Sequence, residues 1–216
     1  MQRPPALDAR LAPGPAFRYL RAVRLRSAAL LWLLLALGGA GSAGCQSRAK
    51  TPAEAWTRFA AAVTARDPQR LYAALDLDTR WSLMSVRRAQ REAYDILLSN
   101  LPEGPARERQ LRRFEAGALA DSEAGLFATR LTPARWDELG QDLTGAGPPE
   151  SAGERDAKVT SKTGRSWKLH RGDDGGWGFA GFGAEAEEEK RRASADLDLV
   201  RANAADYERA AARAGK

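Results

Sequence analysis

The chain of 216 residues has a single Cys, Cys45, and a single His, His170, so thiol and imidazole chemistry each rest on one side chain. Counting alone excludes a Cys/His zinc site, a CxxC redox pair and an intrachain disulfide, and no metal or cofactor is implied. Histidine is the side-chain type whose unperturbed pKa lies near neutrality, which makes His170 the one candidate general base, and a catalytic role would require Tyr94, Asp95 or Ser85 to converge on it. No acid or hydroxyl stands at a spacing that would orient it, so the expectation is a solvated histidine. Asp173-Asp174, set between glycines, lacks the alternating ligands of a calcium loop and reads as a hairpin turn. Arg107, Arg109, Arg112 and Arg113 offer contacts to lipid headgroups or an acidic partner, yet the interspersed Glu108 and Glu115 favour a solvated helix face. Trp56, Trp81, Trp167 and Trp177, with Tyr94, either line a pocket or fill a core.

Cys45 has the more informative surroundings. Arg18, Arg21, Arg24 and Arg26 precede an apolar run over residues 28–37 that ends in Gly and Ala, the order of parts in a secretory signal peptide. Residues 28–44 would make a helix of about 25 Å against a hydrocarbon core of about 30 Å, marginal for a permanent span. The glycines and Ser42 weaken it further where a permanent span would need helix, although an uncleaved single-span protein remains the alternative. Gly41-Ser42-Ala43-Gly44-Cys45 resembles the lipobox of bacterial lipoproteins: Ala43, Gly44 and Cys45 match it, and Ser42 replaces the preferred Leu. The resemblance implies cleavage between Gly44 and Cys45, a diacylglyceryl thioether on the Cys45 sulfur and acylation of the new amine. Two or three chains anchor stably, whereas a single chain holds weakly at about 0.8 kcal/mol per buried CH₂. Gln46, where Asp would signal retention, implies the outer membrane, facing the periplasm. The competing reading of Cys45 is a small buried apolar residue. Residues 1–17 form a long leader rich in Pro and Ala, as a start site placed too far upstream would produce.

Residues 1–44 hold six Arg and one Asp, so of 34 basic and 28 acidic residues 28 and 27 lie beyond them, and the formal charge of +6 falls to +1. Nucleic-acid binding loses its electrostatic support with that change. Hydrophobic residues at 44% and charged residues at 29% exclude a wholly disordered chain and a multi-span membrane protein. About one domain remains.

The elements that must position these residues follow from local patterns. Residues 45–50 form a lipidated tether whose five residues after Cys45 reach at most about 17 Å, and residues 51–183 an α+β domain. Thr51-Pro52-Ala53-Glu54 combines a capping hydroxyl, a first-position Pro and a Glu placed to close a capping box, predicting a helix with Trp56, Phe59, Ala60 and Val63 inward. Asp67-Pro68 starts a short second helix with Leu71, Tyr72 and Leu75. A third, over residues 80–100, carries Leu83, Val86, Gln90, Tyr94, Leu97 and Leu101, widened by Trp81, Met84 and Ile96. Leu111, Phe114 and Leu119 mark a fourth helix, and residues 122–129 and 132–143 two more, with Trp136 and Leu139 inward. Residues 144–153 lack periodicity and read as a mobile loop.

From residue 157 to 182 the period changes to two: Val159, Trp167, Leu169, Trp177 and Phe179 share one face of a three-stranded or slightly larger antiparallel meander, with helices one and three as its cover. Residues 184–216 predict a long C-terminal helix, acidic at its start and basic at its end, with Ala193, Leu197, Val200, Ala204, Tyr207 and Ala211 inward.

This order, an Ala-rich helix bearing Trp56 and Phe59 that leads through Asp67-Pro68 to Leu71-Tyr72 and later an aromatic sheet, resembles the NTF2-like (SnoaL-like) cone fold. That fold hosts enzymes and inert binding modules alike, so it implies no single function. The expectation is a membrane-anchored, non-enzymatic module that binds an envelope partner protein or a small apolar ligand. The alternative from another class is a cone-fold hydrolase or isomerase with a pocket near His170 and Tyr94.

Overall fold

Capping chemistry sets where the chain turns into helix. In the computed structural model, which describes residues 48–214, helix α1 (Pro52–Thr64) opens at Thr51, whose hydroxyl accepts from Glu54 N at 3.2 Å while Glu54 accepts from Lys50 N at 2.8 Å. These bonds satisfy donors that a first turn leaves free. Asp67 caps α2 (Pro68–Ala74) by accepting from Gln69 N and Arg70 N, both at 3.0 Å. Asp76 caps α3 (Leu77–Asn100) by accepting from Thr79 N at 3.2 Å. After α4 (Pro105–Ala118), Ser122 and Thr132 cap α5 (Glu123–Ala128) and α6 (Pro133–Leu143) in the same way. Strands β1 (Glu150–Ser151), β2 (Asp156–Thr160), β3 (Ser166–Arg171) and β4 (Trp177–Phe179) follow, then α7 (Gly183–Ala214). The class is α+β, with a four-stranded antiparallel meander in the order β1-β2-β3-β4.

The sheet buries its odd-numbered side chains. Ala157, Val159, Trp167, Leu169 and Phe179 point into one core, lined up by the pairings Ala157↔Leu169, Val159↔Trp167 and Leu169↔Phe179. Helix α1 covers this face: the Phe59 and Phe179 rings stack at 3.7 Å, and Trp56 stacks on Phe59 at 5.3 Å. Burying each such aromatic contributes roughly 1.5–3 kcal/mol. The expected second cover, the third helix, makes its principal contacts with α4 and α7 instead.

That second assembly has its own core, built from Val86, Ala89, Ala93 and Leu97 of α3, Phe114 of α4, Leu126 of α5, and Ala193, Leu197 and Val200 of α7. Helices α3 and α7 run parallel, since the Ser82 hydroxyl donates to Glu187 at 3.0 Å and, further along both, Arg201 pairs with Glu92. The alanines let the two helices approach, and this rotates the buried stripe of α3 away from the expected one. Gln90 and Tyr94 become half-buried flanks, while Trp81 and Met84, expected inward, are 56% and 37% exposed.

Other departures have equally local causes. Leu119, expected inward, follows the last residue of α4 as its C-cap and is exposed. Tyr207 is exposed because it lies on the rim of a cleft rather than in the α3–α7 seam. Helix α3 starts at Leu77, earlier than expected, because Asp76 ends α2's connection and caps α3 at once. The stretch read as a loop contains β1, which joins β2 through backbone pairing alone with both side chains exposed, so no side-chain period marks it.

Candidate functional site

Lipidation at Cys45 and cleavage after Gly44 fall outside the described residues. The described chain begins beside them, and Ala49 is already part of the fold: it is buried, and its carbonyl accepts from Trp177 N at 2.9 Å. Arg48 next to it pairs with Asp174 at 3.0 Å across the β3–β4 turn. Asp174 also accepts from Gly176 N at 2.9 Å, and Asp173 pairs with Arg155, so both aspartates serve the hairpin and its neighbours. Among the described residues, no group of three or more His, Cys, Asp or Glu is arranged to hold a metal ion.

His170 lies opposite Asp156 in the β2–β3 register, and its Nδ1 is 2.8 Å from Asp156 Oδ1. A carboxylate only accepts, so Nδ1 carries the proton in this pair. The His170 hydrogen bond, followed by that of Lys168, holds the Asp156 carboxyl below its ordinary range. Asp78 stands on the other side, with Oδ2 3.9 Å from Nε2. An orienting acid is therefore present, contrary to the expectation from sequence spacing. The signal for it was the turn: Asp156 and His170 are each seven residues from Thr163, so a hairpin centred there pairs them.

The partners that a catalytic role would require do not converge on this pair. Tyr94 is sixteen residues beyond Asp78 on the same helix, about 24 Å at roughly 1.5 Å per residue. Asp95 is one residue farther, and the Ser85 hydroxyl is engaged with its own helix, donating to Trp81 O at 2.9 Å. The supposed pocket near His170 and Tyr94 is thus not assembled: His170 stands on the outer face of the sheet, and Tyr94 packs into the α3–α4–α7 core.

The aromatic set also separates. Trp56, Trp167 and Trp177 belong to the core between α1 and the sheet, with Trp167 buried and the other two half-buried. The Arg165 guanidinium lies 4.2 Å over the Trp167 ring, which closes that side. These rings fill space rather than surround it. The basic cluster of α4 is divided as well: Arg113 pairs with Asp196 of α7 at 3.1 Å and Arg107 with Glu103 at 3.2 Å, while Arg109 and Arg112 face solvent.

A groove of about 320 Å³ along α3, between Met84, Arg88, Asp95 and Glu123, is open to solvent, and among the described residues two clefts are closed enough to receive a group. One of about 80 Å³ lies between Leu83, Phe127 and Phe182, with Arg130–Glu189 and Arg135–Glu185 ion pairs at its mouth. The other, of about 170 Å³, lies between the C-terminal half of α3, α4 and α7, floored by Leu97, Phe114 and Val200 and edged by Leu199 and Tyr207. Sites for drug-sized ligands run to roughly 300–1,000 Å³, so both suit at most one inserted side chain. Among the described residues, no helix is long and apolar enough to cross a membrane.

No family model, curated protein sequence or solved structure matches this chain.

Proposed function

We propose that the protein is an envelope lipoprotein, held by acyl chains on Cys45 in the outer membrane and facing the periplasm, whose folded domain binds a partner protein. The observation that carries this reading is the position of the only cysteine, directly after an arginine-led apolar run ending in small residues and four residues before Ala49, which is buried in the described domain. A binding role is supported over turnover because, among the described residues, neither Tyr94, Asp95 nor Ser85 converges on the His170–Asp156 pair, which has only Asp78 and Lys168 beside it. A protein partner is favoured over a small apolar ligand by the size of the cleft edged by Leu199 and Tyr207.

The cone-fold resemblance is supported by the way α1, with Trp56 and Phe59, lies over β3 and β4. It adds no activity of its own, because an enzyme on this scaffold would still need a cavity beside its catalytic groups.

The test is the mass of the mature N-terminus purified from membranes of a bacterium that processes lipoproteins. The expected species starts at Cys45 and carries diacylglyceryl plus N-acyl mass, and Cys45→Ser loses both that mass and membrane retention. An unmodified chain starting upstream of Cys45 overturns the anchor, and a precursor-sized membrane form would establish the single-span alternative instead.

A further inference from the structure

We propose that the outer stripe of α3 formed by Trp81, Met84, Arg88 and Arg91 rests on the headgroup surface of the bilayer that holds the lipid on Cys45, an inference that depends on the anchor proposed above. The argument begins with reach. Ala49 is locked to Trp177 by backbone pairing, so only three residues lie between the lipidated cysteine and the sheet, at most about 14 Å of extended chain over four Cα steps. The domain is therefore pressed against its own membrane, and some part of its surface near Arg48 must face the headgroups.

The surroundings of Arg48 point to the start of α3. The Arg48 side chain packs along Gly176, where an added Cβ would meet it at 3.0 Å, and Gly176 O accepts from Gly172 N at 2.9 Å. Gly172 in turn lies against the first residue of α3, where an added Cβ would stand 3.4 Å from the Leu77 side chain. The end of the tether and the beginning of α3 are thus joined through one hairpin. Trp81 is one helical turn beyond Leu77, about 6 Å along the axis.

The chemistry of the exposed stripe suits a bilayer surface. Residues 81, 84, 88 and 91 recur at helical spacing on one side of α3. Trp81 and Met84 are the exposed large apolar side chains in the first half of that helix. An indole, apolar in body and polar at its N–H, is placed favourably at the interface between water and acyl chains. Arg88 and Arg91 are exposed and form no ion pair among the described residues; of the acids that line the same groove, Glu92 is taken by Arg201 and Glu123 by Arg87, which leaves Asp95 beside two guanidinium groups that can meet phosphate oxygens.

The experiment exploits the chain's single cysteine. Once Cys45 is a thioether, Ser85→Cys supplies the only free thiol, in the middle of the stripe, and Tyr207→Cys supplies one about 30 Å along α7 from Glu187, which bonds Ser82. Each lipidated variant is spin-labelled and reconstituted into vesicles of phosphatidylethanolamine and phosphatidylglycerol. The label at 85 is expected to collide less with an aqueous nickel chelate, and more with oxygen, than the label at 207. Introducing Arg88→Glu with Arg91→Glu should raise the aqueous accessibility of the 85 label toward that of the 207 label. In the unlabelled protein, brominated lipids should quench a Trp component that Trp81→Phe abolishes. If the lipid mass is present but both labels are equally accessible and no such component is quenched, the docking is wrong and the anchor stands, which would leave the stripe to a protein partner. If the lipid mass is absent, both proposals fall together.

Discussion

Phe59 of α1 and Phe179 of β4 stack with ring centroids 3.7 Å apart and planes 12° apart, joining the first helix to the last strand of the sheet. Both are almost completely buried, and Trp56, Trp167 and Phe182 surround the pair. Truncating either ring to Ala removes buried apolar area and leaves a cavity that two packed layers cannot close, at a cost of about 3–5 kcal/mol. The double variant should lose less than the two single losses added together, because the contact between the rings, worth about 0.5–1.5 kcal/mol, is counted in each. Urea unfolding of the four proteins measures both quantities, and strict additivity would mean the stacking contributes nothing.

Gly178 is the second support of that junction. Strand β4 passes so close to the α2–α3 connection that a Cβ on Gly178 would stand 2.4 Å from Asp76 Cα and 2.5 Å from Asp76 N, while Asp76 N donates to Phe179 O at 3.1 Å. The obstructing atoms are backbone and cannot rotate away. Gly178→Ala is therefore expected to destabilise by about 1–3 kcal/mol or more through overpacking. Gly164→Ala offers a comparison, since its added Cβ meets nothing within 4 Å and only the positive φ of 82° is strained. A thermal melt in which the Gly178 variant matched the parent would contradict the close approach.

Asp76 itself gives a pH dependence. Burial pushes its carboxyl above the ordinary range, opposed by the hydrogen bonds from Thr79. A carboxyl with a raised folded-state pKa contributes most below its unfolded value, and that contribution is lost as pH rises through the folded one. Asp76→Asn keeps an oxygen for the Thr79 N–H and never ionises, so it should match or exceed the parent near neutrality and lose its advantage in acid. Asp76→Ala lacks the cap and should fall about 1 kcal/mol below Asp76→Asn at every pH. Urea midpoints compared across acid and neutral pH decide this; a parent that gained on Asp76→Asn as pH rose would reverse the sign.

What could be read from the sequence was what is local. Thr51-Pro52 and Thr132-Pro133 announce helix starts through caps that involve only near neighbours, and the alternation through Val159, Trp167, Leu169 and Phe179 marks one face of a sheet whatever covers it. The face that α3 buries was not local. Ala89 and Ala93 are inside because α7 lies alongside, and a hydrophobicity count prefers Trp81 and Met84 until that neighbour is known. Pairing was similarly hidden: β1 is held by backbone bonds without a side-chain pattern, and Asp156 reaches His170 only through the register of a hairpin. The motif from which lipidation of Cys45 is proposed is legible because it is a linear string. The exposed stripe of α3 was not, because exposure is a property of the packed molecule.

The Asp156–His170 pair should be visible as a titration rather than as a large stability term. Hydrogen bonds from His170 first and Lys168 second lower the Asp156 carboxyl, and the group is partly solvated, so water screens much of the interaction. A depressed folded-state pKa means that the favourable contribution exists above the unfolded value and fades as pH falls through the folded one. Carboxyl carbon shifts followed by NMR should show Asp156 titrating below the ordinary aspartate range. His170→Ala should return it part of the way and His170→Ala with Lys168→Ala the rest, with little change in unfolding midpoint at neutral pH. An Asp156 that titrated unchanged in His170→Ala would mean the cross-strand pair is absent in solution.

Asp142 binds the sheet to α6 through a buried polar junction that neither element's pattern announces. Its side chain is almost fully buried; Oδ1 accepts from the Thr163 hydroxyl at 3.1 Å and Oδ2 pairs with Arg165 at 3.2 Å, while Ser161 Oγ, 2.6 Å from Thr163 Oγ1, accepts from Arg165 N at 3.1 Å. Arg165, so held, covers the Trp167 ring at 4.2 Å. Asp142→Ala removes the acceptor for two donors and leaves Glu138 to hold the guanidinium that shields the indole, so the expected loss is about 1–3 kcal/mol. Asp142→Asn retains one acceptor oxygen for Thr163 but not the charge, and should lie between Ala and the parent. Trp167 fluorescence adds a readout that separates this junction from general weakening: in Asp142→Ala its emission should shift to the red under native conditions, before unfolding begins. A variant that lost stability with its native emission unmoved would show that Asp142 supports α6 alone, without positioning Arg165 over the ring.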